Sequence, residues 1–483
     1  MQVWPVLGLV LLIALVLFLS EWAGRRGIIP LVLARKAVHL VAVSAIAVAP
    51  IFFQQPWWLD AIVAAFTGLL FWAVARGRLA IDEARQRRSW GIALFPISFL
   101  ILHVLFGSLW PWLVVYPMLV LALADPAAAL VGELTARRFY FLTGDRKSWQ
   151  GSLTFFVVAA AVLLLLPGVL RHLHPGLAWP FISLQHAPTV WAVLAVAAIA
   201  TLAEALGSGG TDNLTVPLLT AWGMAAVVDS ALQTQLWPAV ALATAVALLA
   251  WWRKWLDAGG AATALLLGVL VWVAQGWQVA LPLLLFFVSG SLLSRLGASA
   301  GPADAKQGRA RDWQQVLANG GLAGLLMWLH TFFPSPAWVL AAWASVAVCL
   351  ADTWSSEIGQ RAGGRVVDIL RWRAVPAGLS GGISWQGTLA GVAGGALLAT
   401  VAVPALAIGW QQAGWLAVAG VAGMLLDSVL GSLLQAKYRQ PDGSWSDQPA
   451  RAGQQPDRGW RWMTNDAVNL LSNLILVLAW LLW

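Results

Sequence analysis

Apolar residues run along this chain in long blocks, broken by short polar loops. The blocks lie near residues 4–20, 37–54, 57–75, 91–107, 110–132, 151–169, 190–207, 213–231, 237–252, 260–275, 278–294, 314–333, 337–358, 385–408, 414–434 and 464–483. Each is long enough to cross a bilayer as a helix, which takes ~20 residues at ~1.5 Å rise each. The pattern predicts an all-α polytopic integral membrane protein with about sixteen spans. The first block lacks a basic n-region and a small-residue cleavage site, so it reads as a retained helix, not a signal peptide.

Charge fixes the expected orientation. Every Lys and Arg except Arg171 falls on loops of one side: Arg25, Arg26, Arg35 and Lys36, then 76–88, 137–147, Arg253 and Lys254, 295–311, 361–373 and 437–461. The positive-inside rule makes that side cytoplasmic, in a bacterial inner membrane or a thylakoid-type membrane, with both termini on the far side. It also accounts for the net charge of +8 without nucleic acid as a partner. Only 10% of residues are charged and 60% are hydrophobic, against ~25% charged in soluble domains. Many of the 32 Trp flank the apolar blocks, among them Trp57, Trp110, Trp251 and Trp480, as interfacial rings do. The single Cys349 lies inside a block and reads as a small core residue.

The chain repeats itself. Ser148-Trp149-Gln150-Gly151-Ser152 recurs as Ser384-Trp385-Gln386-Gly387-Thr388, each copy where a basic loop enters a new span. A block ending in an acid and a glycine precedes each copy: Asp125 to Gly132 and Glu133, then Asp352 to Glu357 and Gly359. Further acids follow, Glu204 and Asp212-Asn213 in the first half, Asp427 and Asn465-Asp466 in the second. One order held twice predicts two tandem related modules, 1–255 and 256–483, divided in the loop near 255–260.

A carboxylate in a span costs ~2.5–3.5 kcal/mol on insertion scales, so Asp125, Glu204, Asp352, Glu357 and Asp427 are functional candidates. Asp352 and Ser356 share a helix face. Asp427, Gly431 and Gln435 form one polar stripe, and Asp466, Asn469 and Asn473 another. Next to the acids stand basic, Gly-rich loops: Arg146-Lys147-Ser148 before Gly151, and Arg371 and Arg373 before Gly378, Gly381, Gly382 and Gly387. Backbone amides of such loops and helix N-termini suit anions, and Ser148, Ser152, Ser384 and Thr388 can cap helices or bind phosphate. Acids that hold Mg²⁺, with cations on the transferring group, are what phosphoryl transfer requires. There is no GxxxxGK[ST] P-loop and no zinc-ligand spacing. His39 is the one histidine placed to react on the basic side.

These motifs carry a resemblance. Residues 30–230 resemble the dolichol kinase and phytol kinase family through Arg35-Lys36-x-x-His39, Asp125-x-x-Ala128-Ala129-x-x-Gly132, Lys147-Ser148-Trp149-Gln150-Gly151-Ser152, Glu204 and Asp212-Asn213-Leu214-Thr215-x-Pro217. Residues 258–483 look like the membrane-protein family that includes phytyl-phosphate kinase. The matching stretches are RDWQQVLANGG (311–321), Asp352-Thr353-x-Ser355-Ser356-Glu357-x-Gly359, VPAGLSGGISWQG (375–387), Asp427-Ser428-x-x-Gly431 with Gln435, and Asn465-Asp466-x-x-Asn469. The resemblance implies a natural fusion of two lipid kinases. The first would phosphorylate an isoprenoid alcohol such as phytol or geranylgeraniol with CTP or ATP, and the second would make the diphosphate, for prenyl-quinone, tocopherol or chlorophyll assembly.

On that reading the catalytic residues are Asp125, Glu204, Asp212, Asp352, Asp427 and Asp466, with Asp125 and Asp352 as Mg²⁺ ligands. Nucleotide or phosphate would meet Arg35, Lys36, His39, Lys147, Ser148, Gly151, Ser152, Arg371, Arg373, Gly381, Gly382, Ser384 and Gly387. Substrate would meet Asn213, Glu357, Gln435, Asn465 and Asn469. Three rival readings are a cytidylyltransferase that forms a CDP-lipid, a repeat-built transporter, and a second module that is only a scaffold.

Overall fold

The computed structural model describes residues 31–52, 56–76, 90–180, 187–296, 310–451 and 453–483, with scattered positions between 8 and 27. It is mainly helical, and each apolar block from 37 onward is a helix. In the first unit these are α1 (Leu31–Phe52), α2 (Pro56–Ala75), α3 (Gly91–Phe106), α4 (Trp112–Thr135), α5 (Trp149–Leu170), α6 (Ala187–Leu206) and α7 (Asp212–Val228). The rest are α8 (Ser230–Trp252), α9 (Ala258–Gln275), α10 (Trp277–Leu296), α11 (Trp313–Phe332), α12 (Pro336–Arg361), α13 (Trp385–Leu406), α14 (Trp410–Leu433) and α15 (Asn465–Leu482). The block at 4–20 falls largely outside the described residues; positions within it that are described are helical. Among the described residues ten helices are long and apolar enough to cross a membrane.

The chain forms two compact units that meet at Thr234 and Gln235. The division lies one helix ahead of the loop boundary at 255–260. Helix α8 falls with the second unit, where Ala243 sits against Gly268 of α9 and Leu256, just past α8, bridges to Arg311.

Each unit is built around the helix that carries the leading acid of the repeated order, Asp125 or Asp352. About two thirds of the apolar window of α4 and of α12 is buried (67% each), against 22–44% in the other long helices. A helix apolar on every side is stable where other helices or lipid surround it, and here helices do so. Around α4 pack α1, α3, α5 and α7; around α12 pack α10, α11, α13, α14 and α15. Glycines let the second set approach closely. A Cβ on Gly420 would meet Ala347 O at 2.9 Å, and one on Gly391 would meet Ala351 O at 3.0 Å. Small residues at helix crossings are the usual way to gain contact in a membrane, where lipid is as apolar as Leu.

The repeated pentapeptide has one structure in both units. A two-residue strand pair precedes each copy: β1 (Phe139–Tyr140) with β2 (Lys147–Ser148), and β3 (Val367–Asp368) with β4 (Gly382–Ile383), both antiparallel. Ser148 and Ser384 then cap α5 and α13, accepting from Gly151 N at 3.1 Å and Gly387 N at 3.2 Å. A third pair, β5 (Tyr438–Arg439) with β6 (Trp445–Ser446), occurs in the long loop before α15.

Candidate functional site

In the first unit the acids meet cations. Lys36 Nζ of α1 lies 3.1 Å from Asp125 Oδ2 of α4, and His39 Nε2, one turn on, lies 3.6 Å from the same oxygen. Lys147 of β2 reaches Glu204 at 2.5 Å and Asp212 at 3.5 Å, so one ammonium joins the end of α6 to the start of α7. Burial pulls the Lys147 ammonium down, but Glu204 and Asp212 outweigh it and hold the group above its ordinary range. Glu204 is buried and its Oε2 has no partner among the described residues. Asn213 is buried beside this cluster, and its backbone N–H donates to Asp212 Oδ1 at 3.1 Å. Tyr140 and Ser152 share a hydrogen bond of 2.5 Å at the mouth of α5. The side chain of Arg35 lies outside the described residues.

The second unit holds a polar cavity of about 780 Å³, within the usual range for ligand sites. Asp352, Glu357, Asp427, Gln435, Asn465, Asp466 and Asn469 all line it, with Ser384, Gly381 and Gly382 of the glycine loop. No cation pairs with Asp352 or Asp427 among the described residues. Asp427 instead accepts from Ser472 Oγ at 3.2 Å, and with its amide turned to donate, Asn469 Nδ2 stands 3.1 Å from Asp427 Oδ1. Glu357 accepts from Ser294 Oγ at 2.6 Å and Arg361 Nη2 at 2.7 Å.

Several residues expected at phosphate have other employment. Gly151 and Gly387 are packing residues: a Cβ would meet Ala128 O at 3.0 Å in the first unit and Ser355 O at 2.8 Å in the second. Their partners Gly132 and Gly359 complete the same close crossing of α4 with α5 and of α12 with α13. Arg371 turns to Asp368 Oδ2 at 3.2 Å and Ser432 Oγ at 3.1 Å, and neither Arg371 nor Arg373 lines the cavity. Asn473, the last member of its stripe, points into the core and donates to Cys349 Sγ at 3.2 Å, while Cys349 donates to Asn319 O at 3.1 Å. The core cysteine thus links α11, α12 and α15.

Other residues at the cavity were not among the expected site residues, although the stretch 311–321 contains Arg311, Gln315 and Asn319. Asp447 accepts from Ser380 N and Oγ, both at 2.9 Å, and so pins the glycine loop, in which Gly381 has φ +82°. A polar loop residue without periodicity gives no signal of such a contact. Gln315 and Asn319 line the same cavity, and their i, i+4 spacing in an apolar block was a usable signal. Arg311 precedes a capping box at Asp312 and Gln315, which places it where α11 starts.

Residues 241–477 match the model of the family described as Integral membrane protein DUF92. The chain is 30% identical over 230 residues to the uncharacterized membrane protein sll0875 of Synechocystis, covering 46% of this chain and 80% of the relative. It is 33% identical over 218 residues to a phytol kinase of the same organism, covering 43% and 85%. Against the chloroplastic protein VTE6 of Arabidopsis thaliana it is 27% identical over 226 residues, covering 45% and 62%. No solved structure matches it. The C-terminal region of this chain, residues 241–477, therefore belongs to the integral membrane family DUF92.

Proposed function

We propose that this protein is a bifunctional prenyl-lipid kinase. The first unit converts an isoprenoid alcohol to its monophosphate, and the second converts that to the diphosphate, with CTP or ATP as donor. The observation that carries the reading is the doubled arrangement: an acid on the central helix, a Ser-capped helix packed on it through paired glycines, and further acids at the two following helices. The phytol kinase relative supports the substrate class.

The chemistry of the two acceptors suits the two units. An alcohol must lose a proton as its oxygen attacks phosphorus, and His39 beside Asp125 can take it in the first unit. A phosphate monoester is already an anionic nucleophile, and the second cavity has no histidine among its lining residues. There Asn465, Asp466 and Asn469 orient the acceptor, and the amides of the glycine loop face the donor phosphates.

Mg²⁺ fits the second unit. Among the described residues no three His, Cys, Asp or Glu converge, so Asp352 and Asp427 would hold it together with substrate phosphates, its common mode. When bound, it neutralises charge on the transferring phosphoryl group. At Asp125 the ion requires Lys36 to turn from the carboxylate to a nucleotide phosphate. The basic loops, and with them the nucleotide, lie on the cytoplasmic side.

The test is a product assay on purified protein in lipid nanodiscs. Phytol or geranylgeraniol is supplied with Mg²⁺ and terminally labelled CTP or ATP in parallel. Label in both mono- and diphosphate is the expected result and names the donor. Monophosphate alone, also when prenyl phosphate is added, overturns the second assignment. Pyrophosphate release with no labelled lipid makes the protein a cytidylyltransferase.

A further inference from the structure

A second cavity lies beside the polar one, between α8, α9, α10 and α11. Leu242, Val246, Leu267, Val271, Leu283 and Phe287 give it an almost wholly apolar wall. It meets the polar cavity at Phe286, Arg311, Gln315 and Asn319, which line both.

Arg311 stands at this junction. Its backbone is fixed: N donates to Trp255 O at 2.9 Å, and O accepts from Asp257 N at 3.1 Å. Its guanidinium lies over the rings of Phe286 and Phe287, 5.7 and 6.0 Å from their centroids. The stacking is possible because Gly290 has no side chain; a Cβ there would come 2.7 Å from Nη2. Among the described residues Arg311 forms no ion pair. Glu357, the acid that acts on it, is engaged by Ser294 and Arg361. A rigid guanidinium fork with no carboxylate partner, set where polar and apolar walls meet, matches a phosphate carried on a hydrocarbon chain.

We infer that the apolar slot receives the isoprenoid chain of a prenyl monophosphate, and that Arg311 at its mouth binds the phosphate. This assigns the acceptor of the second unit and rests on the kinase reading. The slot's continuity with the polar cavity places the acceptor phosphate, and not the nucleotide, on Arg311. The chain length admitted by the slot then sets specificity, because each further CH₂ buried in it adds to the affinity.

The test is equilibrium binding of labelled geranylgeranyl phosphate, geranyl phosphate and geranylgeraniol to the full chain in nanodiscs, without nucleotide. The native protein should bind the long phosphate more tightly than the short one or the alcohol. Arg311→Gln should lose about tenfold to hundredfold in phosphate affinity at either chain length, with the alcohol unaffected. Gly290→Ala should move in the same direction by displacing the guanidinium. Val246→Trp should weaken the long phosphate about tenfold and spare the short one; Leu242→Phe gives an independent reading if the larger ring lowers the melting temperature.

Equal binding of alcohol and phosphate, or Arg311→Gln without effect, overturns the role of Arg311. Loss of both chain lengths equally in Val246→Trp and Leu242→Phe, or no preference for length in the native protein, overturns the slot and leaves it to bulk lipid. The kinase reading fails separately: binding as described, with no phosphoryl transfer from either nucleotide, refutes catalysis while the slot stands.

Discussion

The two units set the same acid on the same kind of helix and balance it differently. In the first, Lys36 and His39 meet Asp125, and Lys147 spans Glu204 and Asp212. In the second, Asp352 and Asp427 line one cavity with hydroxyl and amide neighbours and no cation beside them among the described residues. Charge that a protein does not pair from within is neutralised by a proton or by what binds. The first unit thus pairs its acids with cations of its own, and the second leaves Asp352 and Asp427 without an ion pair among the described residues. On the proposed reading the difference also separates stability from activity, since a carboxylate without an internal cation is cheap to remove and would be costly to catalysis.

The largest expected effect tests that separation. Asp352→Asn should abolish diphosphate formation, by about 10³-fold or more, and leave monophosphate formation intact; Asp125→Asn should do the reverse. Labelled-product analysis of each variant, supplied separately with the alcohol and with prenyl phosphate, checks this, and a variant that loses transfer to both acceptors would mean one shared site. Next comes stability. Lys147→Met should destabilise the first unit by about 3–5 kcal/mol, because it leaves Glu204 buried with an unpaired charge. Asp427→Asn should hold or raise the melting temperature while the second step is lost. Equal destabilisation by the two would erase the contrast.

Smaller effects probe the shared frame. Gly151→Ala and Gly387→Ala should each cost about 1–3 kcal/mol, since the added methyl group meets a carbonyl of the neighbouring helix in both units. Melting curves showing a cost in one unit alone would break the structural repeat. The smallest effect concerns acid. Asp368 is buried, which raises its pKa, but N–H groups of Leu370 and Arg371 and the Ser432 hydroxyl outweigh this and hold it below the ordinary carboxylate range. A depressed value means its contribution is full above the unfolded pKa of ~3.9 and is lost as pH falls through the folded value. Asp368→Asn should therefore cost about 1 kcal/mol at pH 7 and progressively less as pH falls below ~3.9, as melting temperatures across that range would register.

Much of this could be read along the chain. Hydrophobic length specifies each helix because a bilayer admits no unpaired backbone, so the sixteen blocks need no tertiary information. The repeat SWQG and its acids were visible as an order of residues. So was Ser148 at a cap, because capping is a contact within three residues. By itself, then, the sequence determined the spans, the duplication and the chemical types gathered near the basic loops. The tertiary structure decided partners. It turned Arg371 to Asp368, set Gly151 and Gly387 to packing, drew Asn473 to Cys349, and brought Arg311 between two cavities. Each of these joins or separates residues on different helices, and periodicity records which face of a helix is apolar but not which neighbour that face will meet.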